Sequence, residues 1–430
     1  MRFRAEPKID NLIDAGKKDI NQVPSVDDIL CFWRPIVGEA RDTAFESNEL
    51  LQEWARSIQQ VSTEVPPDEV KIRNDLADTI RKGKAWKACG PDGIPLYYWK
   101  HLDSARDALL EIGPRMLMSG RFPFRWLARG RTTLIFKKGS PQDPSCYRPI
   151  TCLNTIYKIF TGVIRVICRR HFVDLGITPV EQRGLREGEC NCLHVCMTDQ
   201  VLAYDAIYRR HPLSVCWLDF KKAFDSVSHS YLKWSLSVSR LPGYAVRFIS
   251  RSMKYWRTSF LVSGSKRMTP PIWLRNGIYQ GDALSPELFV LAVAPISYVL
   301  NNHGPVMSTS VGKLAGFAIS LNHQCYIDDF KLYGQSDREI RDMVQLVEVT
   351  ASGIGISLNR GKCAMLSYVP GKEVNIKNLD GNISTEIINK ESYTYLGITE
   401  QPMQVTSGAK DVMSEVLRKA RIIFNSQLNW

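Results

Sequence analysis

The sequence predicts an α+β fold, and three observations carry that expectation. Short apolar runs of high β-propensity meet carboxylates at two places, Val215–Asp219 and Cys325–Tyr333. Segments with apolar residues at helical spacing lie around them. The chain has 430 residues, 44% of them hydrophobic, enough to bury a large core spread over two or three subdomains.

Taken in order, residues 1–80 are mixed helical and polar, and Val65-Pro66-Pro67-Asp68 marks a turn. Trp33 and Trp54 are expected as core anchors there. Arg81–Lys87 interleaves basic residues with Trp86, which suits a phosphate backbone with a stacked base and equally suits a solvated loop. Residues 152–172 read as an amphipathic helix ending in Arg169-Arg170-His171. Cys190, Cys192, His194 and Cys196 alternate, but zinc sites pair ligands two to four residues apart with a second pair well separated. The following Met197–Leu202 reads as helix, which would spread such side chains around its axis. Pro286–Leu300 reads as a buried apolar helix, and 409–426 as a further helix near the end of the chain. There are no internal repeats or low-complexity tracts.

The chemistry concentrates in Cys325-Tyr326-Ile327-Asp328-Asp329-Phe330-Lys331-Leu332-Tyr333. Two adjacent carboxylates between apolar and aromatic residues suggest a tight hairpin between two strands. An isolated Asp-Asp pair is usually an ordinary turn. Carboxylates in apolar surroundings, however, are costly unless a cation compensates them. Hard oxygen ligands select magnesium or manganese over zinc. A second carboxylate block upstream favours the metal reading: the apolar run Val215-Cys216-Trp217-Leu218 leads into Asp219, a buried strand ending in an acid. Phosphoryl transfer uses two cations roughly 3.5–4 Å apart, and one strand plus a neighbouring hairpin can supply the bridge.

Further blocks then fall into order. Lys87-Ala88-Cys89-Gly90-Pro91-Asp92-Gly93-Ile94-Pro95 comes first, then Thr133–Gly139 and Tyr147-Arg148-Pro149-Ile150-Thr151. Asn276–Pro286, containing Gln280-Gly281-Asp282, lies between the two carboxylate blocks. Gly355–Cys363 and Tyr393-Thr394-Tyr395-Leu396-Gly397 follow them. From roughly residue 84 to 400 this series resembles the reverse transcriptase domain of non-LTR retrotransposons, particularly the early-branching, site-specific lineages. The resemblance implies a right-hand polymerase with fingers and palm, an antiparallel sheet with helices behind it, and a partial thumb. It divides the chain into an N-terminal helical extension (1–80), fingers and palm (81–400) and the start of a thumb (401–430).

The activity implied is RNA-directed DNA polymerisation on an RNA template and DNA primer, using deoxynucleotide triphosphates and two Mg2+ ions, or Mn2+. Asp219, Asp328 and Asp329 would be the catalytic metal ligands, while Asp225 has a structural role. Phe224 corresponds to the bulky residue under the sugar, excluding a ribose 2′-hydroxyl, although a packing ring after the strand reads the same. Arg148 is the candidate triphosphate clamp, its fork matching phosphate oxygens, with Lys137 or Lys138 assisting. Gln280 and Gly281 suit close approach of nucleotide or template–primer. Lys362 is placed to protonate pyrophosphate, or is a surface lysine. Ile327 departs from the small or apolar residue usual before the paired Asp, and its β-branched side chain bears on activity or fidelity.

Lys and Arg number 56 against 44 Asp and Glu, a net charge of +12, which favours a polyanion-binding protein. No run of 18 apolar residues suggests a membrane span, the N-terminus lacks an apolar signal region, and eleven scattered cysteines suit reduced thiols. An intracellular protein, nuclear or cytoplasmic, is expected. Neither a Cys/His knuckle nor an endonuclease pattern flanks the blocks, which predicts a shortened element copy. Such a copy either polymerises or only binds nucleic acid. An RNA-dependent RNA polymerase or a maturase is the third class; Phe224 and the Tyr326–Asp329 and Tyr395–Gly397 blocks weigh against it.

Overall fold

The structure, a computed structural model, describes residues 23–59, 68–120, 122, 124–185, 191–262, 267–308, 320–372, 374–379, 393–396 and 398–400. The turn at Val65–Pro67, Cys190 and the 409–426 helix lie outside the described residues. The strands are β1 (Arg129–Phe136), β2 (Tyr147–Leu153), β3 (Leu213–Leu218), β4 (Arg257–Val262), β5 (Ile272–Trp273), β6 (Met307–Ser308) and β7 (Ser320–Leu321). They continue as β8 (His323–Tyr326), β9 (Asp329–Gly334), β10 (Ala364–Tyr368), β11 (Asn375–Asn378), β12 (Tyr393–Tyr395) and β13 (Ile398–Glu400). The chain divides into two compact units, and each draws on several separate segments.

The first unit comprises residues 1–178, 222–293 and 353–355. Its sheet has the order β2-β1-β4-β5, with β1 and β2 antiparallel and β1 and β4 parallel. On the inner face Thr132 bonds the hydroxyls of Thr151 (2.8 Å) and Thr258 (2.7 Å), so three neighbouring strands share one buried hydroxyl chain. Trp33, fully buried as expected, stacks on Phe260 of β4 with centroids 5.4 Å apart, while Trp54 packs against Trp234. The helix expected at 152–172 runs Thr155–Asp174, because β2 continues to Leu153 and Asn154 stands between the two. The Lys87–Pro95 block folds onto that junction. A side chain at Gly90 would collide with the Asn154 backbone, and the Asn154 carboxamide accepts the Asp92 N–H at 3.1 Å.

The second unit comprises residues 179–221, 294–352 and 356–430. Its five-stranded sheet has the order β11-β10-β3-β9-β8, and every pairing is antiparallel. The central strand β3 is buried at all six positions, as a strand covered on both faces must be. A helix, Asn191–Arg209, precedes it, and the left-handed Arg210 (φ 53°) and Pro212 end the helical path before the strand starts. One face of the sheet carries Val215, Trp217, Tyr333, Ala364 and Leu366, which pack with Val195, Leu202 and Ala206 of that helix.

Two further helices carry much of the burial. Ser285–His303, matching the apolar helix expected at 286–300, is buried along most of its length, and its Ser297 hydroxyl lies 3.8 Å from the Cys325 thiol of β8. Asp337–Ile354 buries Ile340, Met343, Val344, Val347, Ala351 and Ile354, an apolar stripe at helical spacing. Among the described residues no helix is long and apolar enough to cross a membrane.

Within the first unit, Asp282 joins the Thr155–Asp174 helix to the turn before Ser285. Its carboxyl accepts the Thr161 hydroxyl (2.6 Å) and the Ala283 N–H (2.7 Å). Burial, opposed by these bonds and by the nearby Lys158 charge, pushes its pKa up to about 6. A carboxyl that is harder to ionise in the folded than in the unfolded chain stabilises fully below the unfolded value, and that contribution is lost as pH rises through about 6. Between pH 4 and 7 the protein should therefore lose on the order of 2–3 kcal/mol relative to Asp282→Asn. Urea unfolding of both proteins across that range measures this; parallel pH profiles would contradict it.

Candidate active site

The three carboxylates picked out in the sequence all lie in the second unit, at one end of its sheet. The antiparallel register of β3 and β9 runs from Ser214↔Gly334 to Leu218↔Phe330. Carried one pair further, it sets Asp219 level with Asp329, and residues that pair across a ladder share a face. The hairpin expected at the Asp-Asp pair is present: Tyr326 pairs with Asp329, leaving Ile327 and Asp328 as a two-residue loop. Asp328 thus sits at the tip of the turn. Ile327 takes φ 59°, a left-handed conformation that β-branched residues rarely adopt.

Asp219 is half-buried and held from two sides. The Asn359 carboxamide donates to its Oδ2 at 3.0 Å, and the Asn359 N–H donates to its carbonyl at 2.7 Å. The Asp219 N–H meets the Cys363 thiol at 3.4 Å, and burial pushes that thiol up to about 11, leaving it protonated and inert. Tyr393 stacks on Trp217 at 4.7 Å. Its hydroxyl is pushed above the ordinary tyrosine range, first by burial and then by the negative charges of nearby carboxylates, Asp219 foremost. The β12–β13 hairpin therefore lies against the carboxylate end of the sheet.

Lys331, two residues beyond Asp329 on the same face, is buried. Its ammonium lies 2.8 Å from Asp199 and faces the rings of Trp217 (5.0 Å) and Tyr395 (5.2 Å). Lys362 is exposed one residue before Cys363, and its carbonyl accepts the Tyr393 hydroxyl at 3.3 Å.

The donor set suits a hard divalent cation in kind: three carboxylates, with an amide fixing one of them. Among the described residues no three His, Cys, Asp or Glu side chains are already drawn into a metal cage. Magnesium sites for phosphoryl transfer take one or two carboxylates and complete their shell with water and substrate phosphate, so no preassembled cage is needed.

The remaining candidates lie in the first unit. Arg148 and Lys137 are exposed on the β1–β2 hairpin, Arg148 opposite Ile135, with the Lys137 N–H donating to the Cys146 carbonyl at 2.9 Å. Gln280 is already engaged: its amide donates to buried Asp225 at 3.0 Å, and its carbonyl accepts the Thr151 N–H at 2.6 Å. Gly281 (φ 123°) brings its backbone against Thr151, where a Cβ would stand 2.6 Å from the Thr151 carbonyl oxygen. The close approach anticipated at Gly281 is thus to β2 itself. The Asp225 carboxylate, engaged by Gln280, fits the structural role expected of it.

Phe224 is half-buried, stacked on Phe289 at 4.3 Å, and its carbonyl accepts the Ile278 N–H at 2.7 Å. One lattice of hydrogen bonds therefore ties the strand of Arg148, the Gln280-Gly281 turn and the Phe224 segment together. Trp86, from the basic patch, is half exposed and stacks on Tyr97 at 4.7 Å, while Arg81 and Lys82 both pair with Asp78. In the Cys/His cluster, His194 and Cys196 lie on the Asn191–Arg209 helix, and Cys190 and the Cys192 side chain are outside the described residues.

Two positioning residues went unrecognised in the sequence. Asn359 lies inside the Gly355–Cys363 block, where its amide was the only signal. Gln182 lies in no block; it reaches the Asp-Asp turn through a bridge to Cys325.

A family model described as reverse transcriptase (RNA-dependent DNA polymerase) matches residues 135–399. A Pol polyprotein from the type-1 retrotransposable element R2 of Nasonia vitripennis is 26% identical over 76% of this chain and 31% of its own length. A probable RNA-directed DNA polymerase from the transposon X-element of Drosophila melanogaster is 31% identical over 40% of this chain and 18% of its own. The polymerase of the mobile element jockey of Drosophila funebris is 24% identical over 78% of this chain and 35% of its own. The chain spans about a third or less of the length of these relatives. With the carboxylate hairpin and the antiparallel sheet in place, the match places this chain in the reverse transcriptase family, as a domain of the non-LTR retrotransposon type.

Proposed function

We propose that this domain is an RNA-directed DNA polymerase that adds deoxynucleotides to a primer 3′-hydroxyl on an RNA template inside the cell. The five-stranded sheet would be the palm, and the β1–β2 hairpin part of the fingers. The observation that carries this reading is the register that sets Asp219 level with Asp329, with Asp328 at the adjoining turn.

Asp219 and Asp328 are assigned as direct ligands of two magnesium ions and Asp329 as a further carboxylate at the pair. When bound, the ions supply Lewis-acid activation of the attacking hydroxyl and neutralisation of the triphosphate. Asn359 fixes one Asp219 oxygen, leaving the other to face the reaction. In the first unit, Arg148 offers a planar fork for two phosphate oxygens and Lys137 a point charge. Phe224 is braced by Phe289, so its ring is a rigid wall suited to exclude a 2′-hydroxyl. Gln280 and Gly281 hold Arg148's strand in place through Thr151. Lys362 is exposed and assigned to the pyrophosphate side, as a proton donor.

Asp219→Asn and Asp328→Asn should each reduce extension of a DNA primer on an RNA template by at least about a thousandfold, with unchanged thermal unfolding. Extension near the wild-type rate by either variant would remove the assignment. Wild-type binding of primer–template without extension would leave the second reading, a nucleic-acid-binding remnant. Phe224→Ala should raise ribonucleotide incorporation relative to deoxynucleotide by at least about tenfold, and an unchanged ratio would mean that the ring only packs against Phe289.

A further inference from the structure

The loop that presents Asp328 is held by a residue that lies between the blocks picked out in the sequence, in segment 181–184. Segment 181–184 runs beside β8: the Cys325 N–H donates to the Glu181 carbonyl (3.1 Å), and the Arg183 N–H to the Cys325 carbonyl (2.9 Å). Between them Gln182, 1% exposed, turns its amide onto Ile327. Its Oε1 accepts the Ile327 N–H at 2.7 Å and the Gly184 N–H at 3.0 Å, and its Nε2 donates to the Ile327 carbonyl at 3.3 Å. One side chain thus satisfies both backbone groups of the residue in the left-handed conformation. Gly184 completes the contact, since a Cβ there would come within 2.6 Å of the Ile327 side chain.

A two-residue hairpin loop with φ > 0 favours Asn or Gly, and a β-branched Ile persists there only when its surroundings enforce it. Gln182 supplies that enforcement, and it carries no charge that would disturb the neighbouring carboxylates. We infer that Gln182 is a positioning residue for catalysis, clamping the Ile327 peptide so that Asp328 and Asp329 keep the orientation needed to share a divalent cation. This inference rests on the polymerase reading above.

The test uses the full chain with Gln182→Met, which keeps the buried volume while removing all three hydrogen bonds, with Ile327→Gly, which adopts the left-handed turn without strain, and with the double variant. Amide hydrogen exchange of the Tyr326–Phe330 segment, magnesium dependence and single-turnover primer extension are measured on each. Gln182→Met should speed exchange in that segment, raise the half-saturating magnesium concentration, and lower turnover by about 10–100-fold. The nucleotide KM should move by less than about threefold. In the Ile327→Gly background the same substitution should cost less than about threefold, because the strain it restrains is gone. Wild-type exchange and turnover in Gln182→Met, or an equal loss in both backgrounds, would overturn the clamp. Should Gln182→Met fail to fold, Gly184→Ala presses on Ile327 from the same segment and must slow turnover with faster hairpin exchange; unaltered values would count against the clamp. If the wild-type protein does not extend a primer, the polymerase reading falls, and the exchange arm alone then decides whether Gln182 holds the turn.

Discussion

The antiparallel pairing of β3 with β9 is the constraint on which the site depends. In a pleated ladder neighbours alternate faces, so a slip of one residue would move Asp329 and Lys331 to the face that Phe330 and Leu332 now occupy. That slip would drive Phe330 and Leu332 onto the helix-covered face and turn Asp329 and Lys331 into the packing opposite, since both faces are covered. It would also pull the Lys331 ammonium away from Asp199 and the Trp217 ring. Packing energy on both faces therefore fixes the register, and the register fixes the carboxylates. The precision of the site is a by-product of the core beneath it.

Within each unit, neutral amides do much of the holding. Asn359 holds Asp219, Gln182 holds the turn of Asp328, and Gln280 links Asp225 to β2. An amide both donates and accepts, so a single side chain can satisfy an N–H and a carbonyl or carboxylate at once. A lysine or glutamate in the same positions would add a charge beside groups whose own charge is the working part. Lys331 is the exception, and its charge is matched by Asp199 within the protein.

The parts legible in the sequence were those encoded locally. The six-residue apolar run of β3, the hairpin at Asp328-Asp329 and the helices at Thr155–Asp174 and Ser285–His303 all follow from burial period and turn chemistry over a few residues. The antiparallel sheet was expected, but the parallel pairing of β1 with β4 was not, because it joins residues about 128 positions apart with no local signal. Gln182 was invisible for the same reason: its partner is 145 residues away. At Phe224 the two sequence readings were a sugar wall and a packing ring. The stack on Phe289 fits the packing reading and is compatible with the first.

The interleaving of the two units has a consequence for how the chain must come together. β3 finds its neighbours only when residues 329–334 and 364–368 exist, and β1 acquires its parallel partner only with residues 257–262. Neither unit is a contiguous stretch that a ribosome could release as a finished piece. Early helices must wait with apolar faces uncovered while a hundred or more residues are added, so the order of folding departs from the order of synthesis. Cutting the chain at any one point between the segments would leave at least one of the two units split between the pieces.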